Sequence, residues 1–590
     1  MTDSILSGEK PVLIYDGDCG FCVYWARYWQ ALTGDSVRYA AYQEVGTRYP
    51  QITPADFQRA VQYVTPDGRV ASGAEASLRT LSHAPGKAWW LALYRHVPGL
   101  STLAERVYAG IARHRPAAYR VSLLLWGRAH WPPRHQATVR LFLAGLALIY
   151  LAAFVSLAVQ IEGLVGSDGI LPLQDYLAAI AERYGVERYW LFPTVFWLAA
   201  SDAALLLVCW TGALLSLLLL CNIRPRLCLA LLFVLYLSLF YAGQVFTSYQ
   251  WDLLLLESGF LALLLSSGSH LAVWLARWLV FRFMFMSGLV KVLGAPEWRD
   301  FSALGNQFAT QPLPTPLAWY AARLPEVALQ VGTALTLTIE LLLPLFIFLP
   351  RRLRFLAAGG IIMLQAAILL TGNYNFFNLL AILLCLLLFD DAAIRGRLPR
   401  WLVPRDKSRD AARLPRPWAR RAVIVYAVGS LVLGGWQLAE KFPGATLPGG
   451  VSSLADYVSS WRIINPYGPF GAMSSERAEI IIEGSQDGEH WVEYAFRYKP
   501  GAVDRRPTWN IPHQPRLDWQ MWVAALGSQQ QNPWFGQLLR RLLRNSPAVS
   551  GLLKGNPFDA IRHGFMVIEA IAHRRYQALT GYMQTRDVSH

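Results

Sequence analysis

Between Leu141 and Gln437 the chain repeats one pattern, a long apolar run, a short polar turn, then another apolar run. Leu141–Ala158, Leu227–Tyr241, Leu329–Phe348 and Phe376–Phe389 are nearly free of charge. Crossing ~30 Å of hydrocarbon takes roughly 18–20 residues of helix, and several of these runs approach or exceed that length. Backbone polar groups in lipid must bond internally, so the runs read as helices and not as strands. The pattern predicts nine spans, at 139–160, 194–220, 227–246, 251–266, 271–293, 329–349, 353–371, 376–390 and 422–440. The weakest fit is 251–266, which is short and carries Asp252 and Glu257.

The flanks follow other rules. Pro11–Tyr15 suits a short buried strand, and Val23–Leu32 a helix, with Asp16-Gly17-Asp18-Cys19-Gly20-Phe21-Cys22 between them. After Lys441 the pattern turns mixed. Glu479–Glu483, Asp487-Gly488 and Trp491–Phe496 read as a β-hairpin, with Trp461–Asn465 as a neighbouring strand. Leu517–Leu526 and Trp534–Leu543 have helical spacing, and Ile561–His590 reads as a basic, partly helical extension. The fold class predicted is a polytopic α-helical membrane protein of about nine spans, with an N-terminal α/β domain (1–115), a basic linker (116–138), a helical core (139–440) and a mainly β C-terminal domain with helices (441–590).

Charge orients this plan. Arg113–Arg140 is strongly basic and has no acid, whereas Ile161–Pro193 carries Glu162, Asp168, Asp175, Glu182 and Glu187 against Arg183 and Arg188. Arg224, Arg226, Arg351, Arg352, Arg354 and the ten basic residues of Arg395–Arg421 fall on the same side as the first loop. Basic loops stay cytoplasmic, so the N-terminus is expected inside and the C-terminal domain outside. Met1–Lys10 is polar and predicts no cleavable signal peptide. The expected location is a plasma membrane, such as a bacterial inner membrane. The net charge of +15 lies in these loops, which argues against a nucleic-acid partner and for membrane lipid.

Several residues carry candidate chemistry. In a strand–turn–CxxC–helix arrangement Cys19 sits at a helix N-terminus, where unpaired N–H groups and the helix dipole favour thiolate. Cys19 would attack and Cys22 resolve, with Asp16 or Asp18 as a proton shuttle or helix cap. Half a zinc site and an inert pair are the other readings, and no second Cys or His pair stands at zinc spacing. His490, His513 and His563 are scattered, so no metal site is expected. Cys221 and Cys228 flank one short turn as a possible electron relay, against the plainer reading of buried thiols as core filler. Asp202, Asp252, Glu257, Arg277, Arg282, Lys291 and Glu340 are intramembrane charges, which mark function or buried pairs such as Glu257 with Arg277 or Arg282. Lys291 reads either as a snorkelling amine or as a desolvated base. No GxSxG, P-loop or paired-glycine fingerprint is present, which excludes the commonest lipase, ATPase and dinucleotide sites.

Tyr15–Cys22, with Val61–Val64, Asp67-Gly68 and Ser72–Ala76 downstream, resembles the DCC family of thiol-disulfide oxidoreductases, which are thioredoxin-like. The cis-proline motif of thioredoxin has no counterpart here. A second resemblance covers about 140–575. Gln250–Phe260 (QWDLLLLESGF), Phe281–Lys291 (FRFMFMSGLVK), Trp298-Arg299-Asp300, Thr310–Tyr320 (TQPLPTPLAWY) and Thr371–Asn378 (TGNYNFFN) resemble the lipase maturation factor family. So do Asn465–Met473 (NPYGPFGAM), Arg505-Arg506-Pro507, His513–Trp522 (HQPRLDWQMW) and Asn556-Pro557-Phe558. Animal members of that family lack the N-terminal redox domain. Lys291–Trp298 also resembles the membrane core of vitamin K-dependent gamma-carboxylases, where a lysine before a tryptophan is a catalytic base.

These resemblances imply a membrane-embedded maturation factor for secreted or envelope proteins, with lipase-like clients and a fused redox domain. Asn465, Pro466, Tyr467, Phe470, Arg516, Asp518, Trp519 and Trp522 are the expected client contacts. Gln311–Trp319, stiffened by Pro312, Pro314 and Pro316, reads as a lid or docking loop, or as ordinary interfacial anchoring. The alternative is a membrane enzyme, either a thiol oxidoreductase through Cys19 and Cys22 or one using Lys291 on a lipid-soluble, quinone-like cofactor. No cofactor is required by the sequence. A cytoplasmic dithiol could not touch an exported client directly.

Overall fold

A computed structural model describes residues 10–128, 131–394, 417–442, 455–501, 505–558 and 567–574. The basic stretch 395–416 and most of the 561–590 extension lie outside the described residues. Two compact units result, Met1–Arg134 with Leu349–Leu353, and the remainder of the chain.

In the first unit β1 (Val12–Tyr15) runs into helix α1 (Gly20–Thr33), and β2 (Arg38–Ala41), β3 (Gln62–Val64) and β4 (Val70–Ser72) complete a sheet of order β2-β1-β3-β4. β1 pairs parallel with β2 and antiparallel with β3, and β3 pairs antiparallel with β4. Successive side chains of a strand point to opposite faces. Leu13 and Ile14 are both wholly buried in separate clusters, so β1 is the covered centre of the sheet. Helix α2 (Gly73–Ser82) follows β4, in the order expected of a thioredoxin-like domain. Residues 116–138, read from sequence as linker, begin as helix α3 (Arg115–Trp126). It packs on α1, with Trp25 Nε1 donating to Ser122 Oγ at 3.3 Å and Trp25 edge-on to Trp126.

Among the described residues seven helices are long and apolar enough to cross a membrane. They are α4 (Gln136–Ala158), α5 (Asp202–Leu220), α6 (Pro225–Ala242), α8 (His270–Gly294), α9 (Glu326–Leu341, continued by Leu343–Phe346), α10 (Arg351–Thr371) and α12 (Pro417–Ala439). Two further apolar helices, α7 (Gln250–Leu265) and α11 (Phe377–Cys385), stand where spans were expected but are shorter. The expected 194–220 span starts late. Val195–Trp197 is a 3₁₀ turn, and Ser201 caps α5 by accepting from the Ala204 N–H at 3.3 Å. Pro344, which has no N–H to give, follows the break in α9. At the start of α4 the Asp391 carboxylate accepts from the N–H groups of Gln136, Ala137 and Thr138 at 2.9–3.1 Å. An anion there satisfies orphan donors and the helix dipole together.

α7 is the interior helix. Twelve of its sixteen residues are buried, and α4, α6, α8 and α11 pack around it. Gly259 of α7 lies so close to Tyr150 of α4 that any side chain would meet the phenol oxygen.

The C-terminal segment is mixed rather than mainly β. β5 (Ala478–Ser485) pairs antiparallel with β6 (Val492–Glu493), as the predicted hairpin requires, and Gly488 supplies the positive φ of its turn. β7 (Val567–Arg574) pairs along the other edge of β5, where the sequence suggested partial helix. Trp461–Asn465 forms a turn and not the expected strand. Helices α13 (Arg516–Ala525) and α14 (Pro533–Leu543) match their predicted spacing.

Candidate functional site

The dithiol sits where strand β1 gives way to helix α1. Cys19 is the N-cap residue of α1 and is partly exposed, while Cys22 faces inward and is buried. Burial first, then a hydrogen bond and charge from Cys19, push the Cys22 thiol up to about 12, so it stays protonated at neutral pH. Neither aspartate caps the helix. Gln43 Nε2 donates to Asp16 Oδ1 at 2.8 Å and to Asp18 Oδ2 at 3.1 Å, and the Arg115 guanidinium stands 3.7 Å from Asp16 Oδ2. Gln43 and Arg115 had no motif to announce them, since Arg115 lies in a basic run that sequence reading assigns to topology.

In the second unit the intramembrane charges and the expected client contacts turn out to be partners. Asp252, in the first turn of α7, receives a bidentate Arg516, with NH1 to Oδ2 at 2.7 Å and NH2 to Oδ1 at 2.8 Å. Tyr236 of α6 adds an O–H bond to Asp252 Oδ1 at 2.5 Å. Five residues further along α7, Glu257 pairs with Arg282 of α8. Its second oxygen accepts from the Asn465 N–H and the Tyr467 hydroxyl, both at 2.9 Å. Arg282 NH1 donates to the Asn465 carbonyl at 3.1 Å. Gly434 of α12 leaves room for the Arg282 stem, which a methyl group would meet at 2.6 Å.

The same arrangement recurs beyond α7. Lys291 Nζ lies 2.8 and 2.9 Å from the two Glu340 oxygens and donates to the Pro469 carbonyl at 3.2 Å. Trp298 Nε1 donates to the Phe470 carbonyl at 3.0 Å. Trp522 Nε1 donates to the Thr310 carbonyl at 2.9 Å, and Asp518 Oδ1 accepts from the N–H groups of Tyr498 and Lys499 at 2.8 Å. Arg477 holds the carbonyls of Gln311 and Pro312, so the proline loop is clamped with Gln311–Thr315 buried, and is no free lid.

These contacts correct the expected client surface. Asn465, Tyr467, Arg516 and Asp518 are buried and spent on internal bonds, Trp519 is buried against the rings of Tyr249, Trp251 and Tyr374, Phe470 and Trp522 are half-buried, and Pro466 stands exposed. Lys291 neither snorkels nor stands free as a base, because a carboxylate occupies it on a buried site. Arg277 points at His135 Nε2, 3.2 Å away, and not at Glu257. Asp202 lies at the exposed start of α5, where it accepts from the Ser167 N–H and hydroxyl. All six cysteines are free thiols, and Cys221 is exposed while Cys228 is buried with its thiol donating to the Ile223 carbonyl, so no relay pair forms. Among the described residues no cluster of three metal-ligating side chains occurs.

What the geometry offers is a dithiol in one unit and, in the other, a helical core to which the C-terminal segment is tied by buried charge. The chain matches the model of the lipase maturation factor transmembrane domain over residues 137–396 and that of the lipase maturation factor C-terminal domain over 463–584. Residues 13–121 match the DCC1-like thiol-disulfide oxidoreductase model. Lipase maturation factor 2 of Xenopus laevis is 34% identical, over 72% of this chain and 77% of its own. The Homo sapiens protein of that name is 34% identical over 70% and 75%, and lipase maturation factor 1 of Bos taurus 32% over 71% and 80%. No solved structure matches the chain. The chain is an integral membrane protein of the lipase maturation factor family, carrying a DCC1-like domain at its N-terminal end.

Proposed function

We propose that this protein is a membrane-embedded maturation factor for exported proteins, with lipase-like clients. The observation that carries the reading is the joining of the two family regions. Asp252, Glu257 and Lys291 in the helices each hold the C-terminal segment through buried polar bonds, so that segment is built onto the membrane core. A client met by such a segment is held at the membrane as it emerges. With Asn465–Trp522 largely occupied internally, the client surface falls on exposed positions such as the short edge strand β6 and Trp509. Loop charge supports a cytoplasmic N-terminal unit and an extracytoplasmic C-terminal segment in a plasma membrane, with spans beyond the seven long helices supplied by α7 and α11. Cys19 above a buried, protonated Cys22 supports a thiol-disulfide role in the N-terminal domain, 1–115 by sequence and extended by α3. Coexpression of a secreted lipase with the chain tests the proposal, reading lipase activity per mass of lipase. Activity that rises with the intact chain, and does not rise with Arg516→Met, supports it. Unchanged specific activity with and without the chain overturns it.

A further inference from the structure

A cavity of about 330 Å³ lies between α8, α9, α10 and α11, closed on one side by Pro469 and Phe470. That volume is at the lower end of the ~300–1,000 Å³ typical of small-molecule sites. Its walls are apolar, with Phe283, Ile339, Ile368 and Phe377 prominent. Its rim includes Leu335 of α9 and Met363 of α10, 46% and 52% exposed, together with exposed Ala367. α9 and α10 are among the least buried of the long helices, with 28% and 33% of their apolar windows covered by protein. Their outer faces are therefore the ones left to lipid, and the cavity mouth opens between them.

Inside, polar groups line the apolar walls; Glu340 Oε2 has only its ion pair with Lys291, and two uncharged amides each keep an atom with no partner at all. Tyr374 takes a hydrogen bond from Gln307 Nε2 at 2.5 Å and gives one to Gln311 Oε1 at 3.5 Å, which leaves Gln311 Nε2 without an acceptor. Asn378 Nδ2 donates to Gln365 Oε1 at 2.7 Å, which leaves Asn378 Oδ1 without a donor. Both side chains are buried beyond nine-tenths and line the cavity. A buried polar atom left unpaired costs ~1–3 kcal/mol, so two in one cavity call for a partner. The charges there cancel, because Lys291 is neutralised by Glu340. A carboxylate headgroup would meet Glu340 beside Lys291, the only cation among the described residues that line the cavity.

We infer that this cavity binds a neutral, hydroxyl-bearing lipid of a single acyl chain, entering from the bilayer between α9 and α10. The hydroxyl head accepts from Gln311 Nε2 and donates to Asn378 Oδ1, and the chain lies along the apolar walls. A quinone has carbonyls that only accept, so it leaves Asn378 unpaired. This inference does not depend on the maturation reading.

The test uses the full chain in nanodiscs with photoreactive, alkyne-tagged monoacylglycerol, beside the free fatty acid and a quinone carrying the same tag. Labelling by monoacylglycerol should exceed that by the other two at least tenfold and map to peptides of α9 and α10. Ala367→Trp, at an exposed rim position, should cut it about tenfold, whereas Val425→Trp on the exposed face of α12 should leave it unchanged. Asn378→Leu should lower monoacylglycerol labelling severalfold. Equal or stronger labelling by the fatty acid or quinone overturns the inference, as does full labelling of a monodisperse Ala367→Trp protein.

Discussion

Helix α7 and helix α9 with its continuation to Phe346 present opposite solutions to life in a membrane. α9 and its continuation run for 21 residues, and 28% of their apolar window is covered by protein, so their composition must satisfy lipid directly. α7 has 16 residues and two carboxylates, yet it is buried on nearly all sides. An interior helix answers to its neighbours and not to the bilayer, so charge is tolerated wherever a counter-charge and hydrogen bonds meet it. Hydropathy therefore finds the outer helices easily and undervalues the one at the centre.

The largest effect should come from breaking the central helix's pairing. Asp252→Asn leaves Arg516 buried without its counter-charge, which costs ~3–5 kcal/mol. By contrast Val331→Ala, at a residue of α9 that is itself 60% exposed, should stay within ~0.5 kcal/mol. Thermal unfolding of the solubilised chain reads both, and equal losses would erase the contrast between the two helices.

Next in size is a steric test on α12. Gly434→Leu drives a side chain into Arg282 and should cost ~1–3 kcal/mol, while Gly435→Leu, which has no neighbouring atom within 4 Å, should be close to neutral. The same unfolding assay separates them, and a reversed order would misplace Arg282.

A smaller effect comes through pH. Burial first, then the positive charges of Arg516 and Arg497, hold His513 down at about 4, against 6.5 for the free side chain. Between those values the unfolded chain binds a proton that the folded one refuses. The stabilisation is full above pH 6.5 and drains away as pH falls toward 4. His513 shares a 3.0 Å hydrogen bond with Ser156, so His513→Gln should flatten the dependence of melting temperature on pH in that window.

The least perturbing experiment leaves the fold intact. Iodoacetamide at neutral pH should modify Cys19 well before Cys22, because Cys22 is buried and protonated. Peptide mass mapping gives the order, and faster modification of Cys22 would exchange their roles.

Much of this was legible in the chain. Alternation of apolar runs and turns marked the helices, and the CxxC at the end of a strand marked the dithiol. Glu257 with Arg282 was visible as one of two pairings. The identity of the other partners was not, because Arg516 lies 264 residues from Asp252 and Pro469 178 from Lys291. No local spacing encodes contacts of that range. Asn465–Met473 and Arg516–Trp522 looked like a binding surface for the same reason, since aromatic and charged residues serve a surface and a buried seam equally well. Strand β7 was missed because its pairing with β5 is also distant in sequence.

A double-mutant cycle on Asp252 and Arg516 tests most directly whether buried charge ties the C-terminal segment to the helices. Stability of the purified chain is measured for Asp252→Asn, Arg516→Met and the double variant. A double variant less damaged than the sum of its parents, by ~1–3 kcal/mol, is the predicted result. Strictly additive losses would mean that the two residues act apart, and the tie between core and C-terminal segment would have to lie elsewhere.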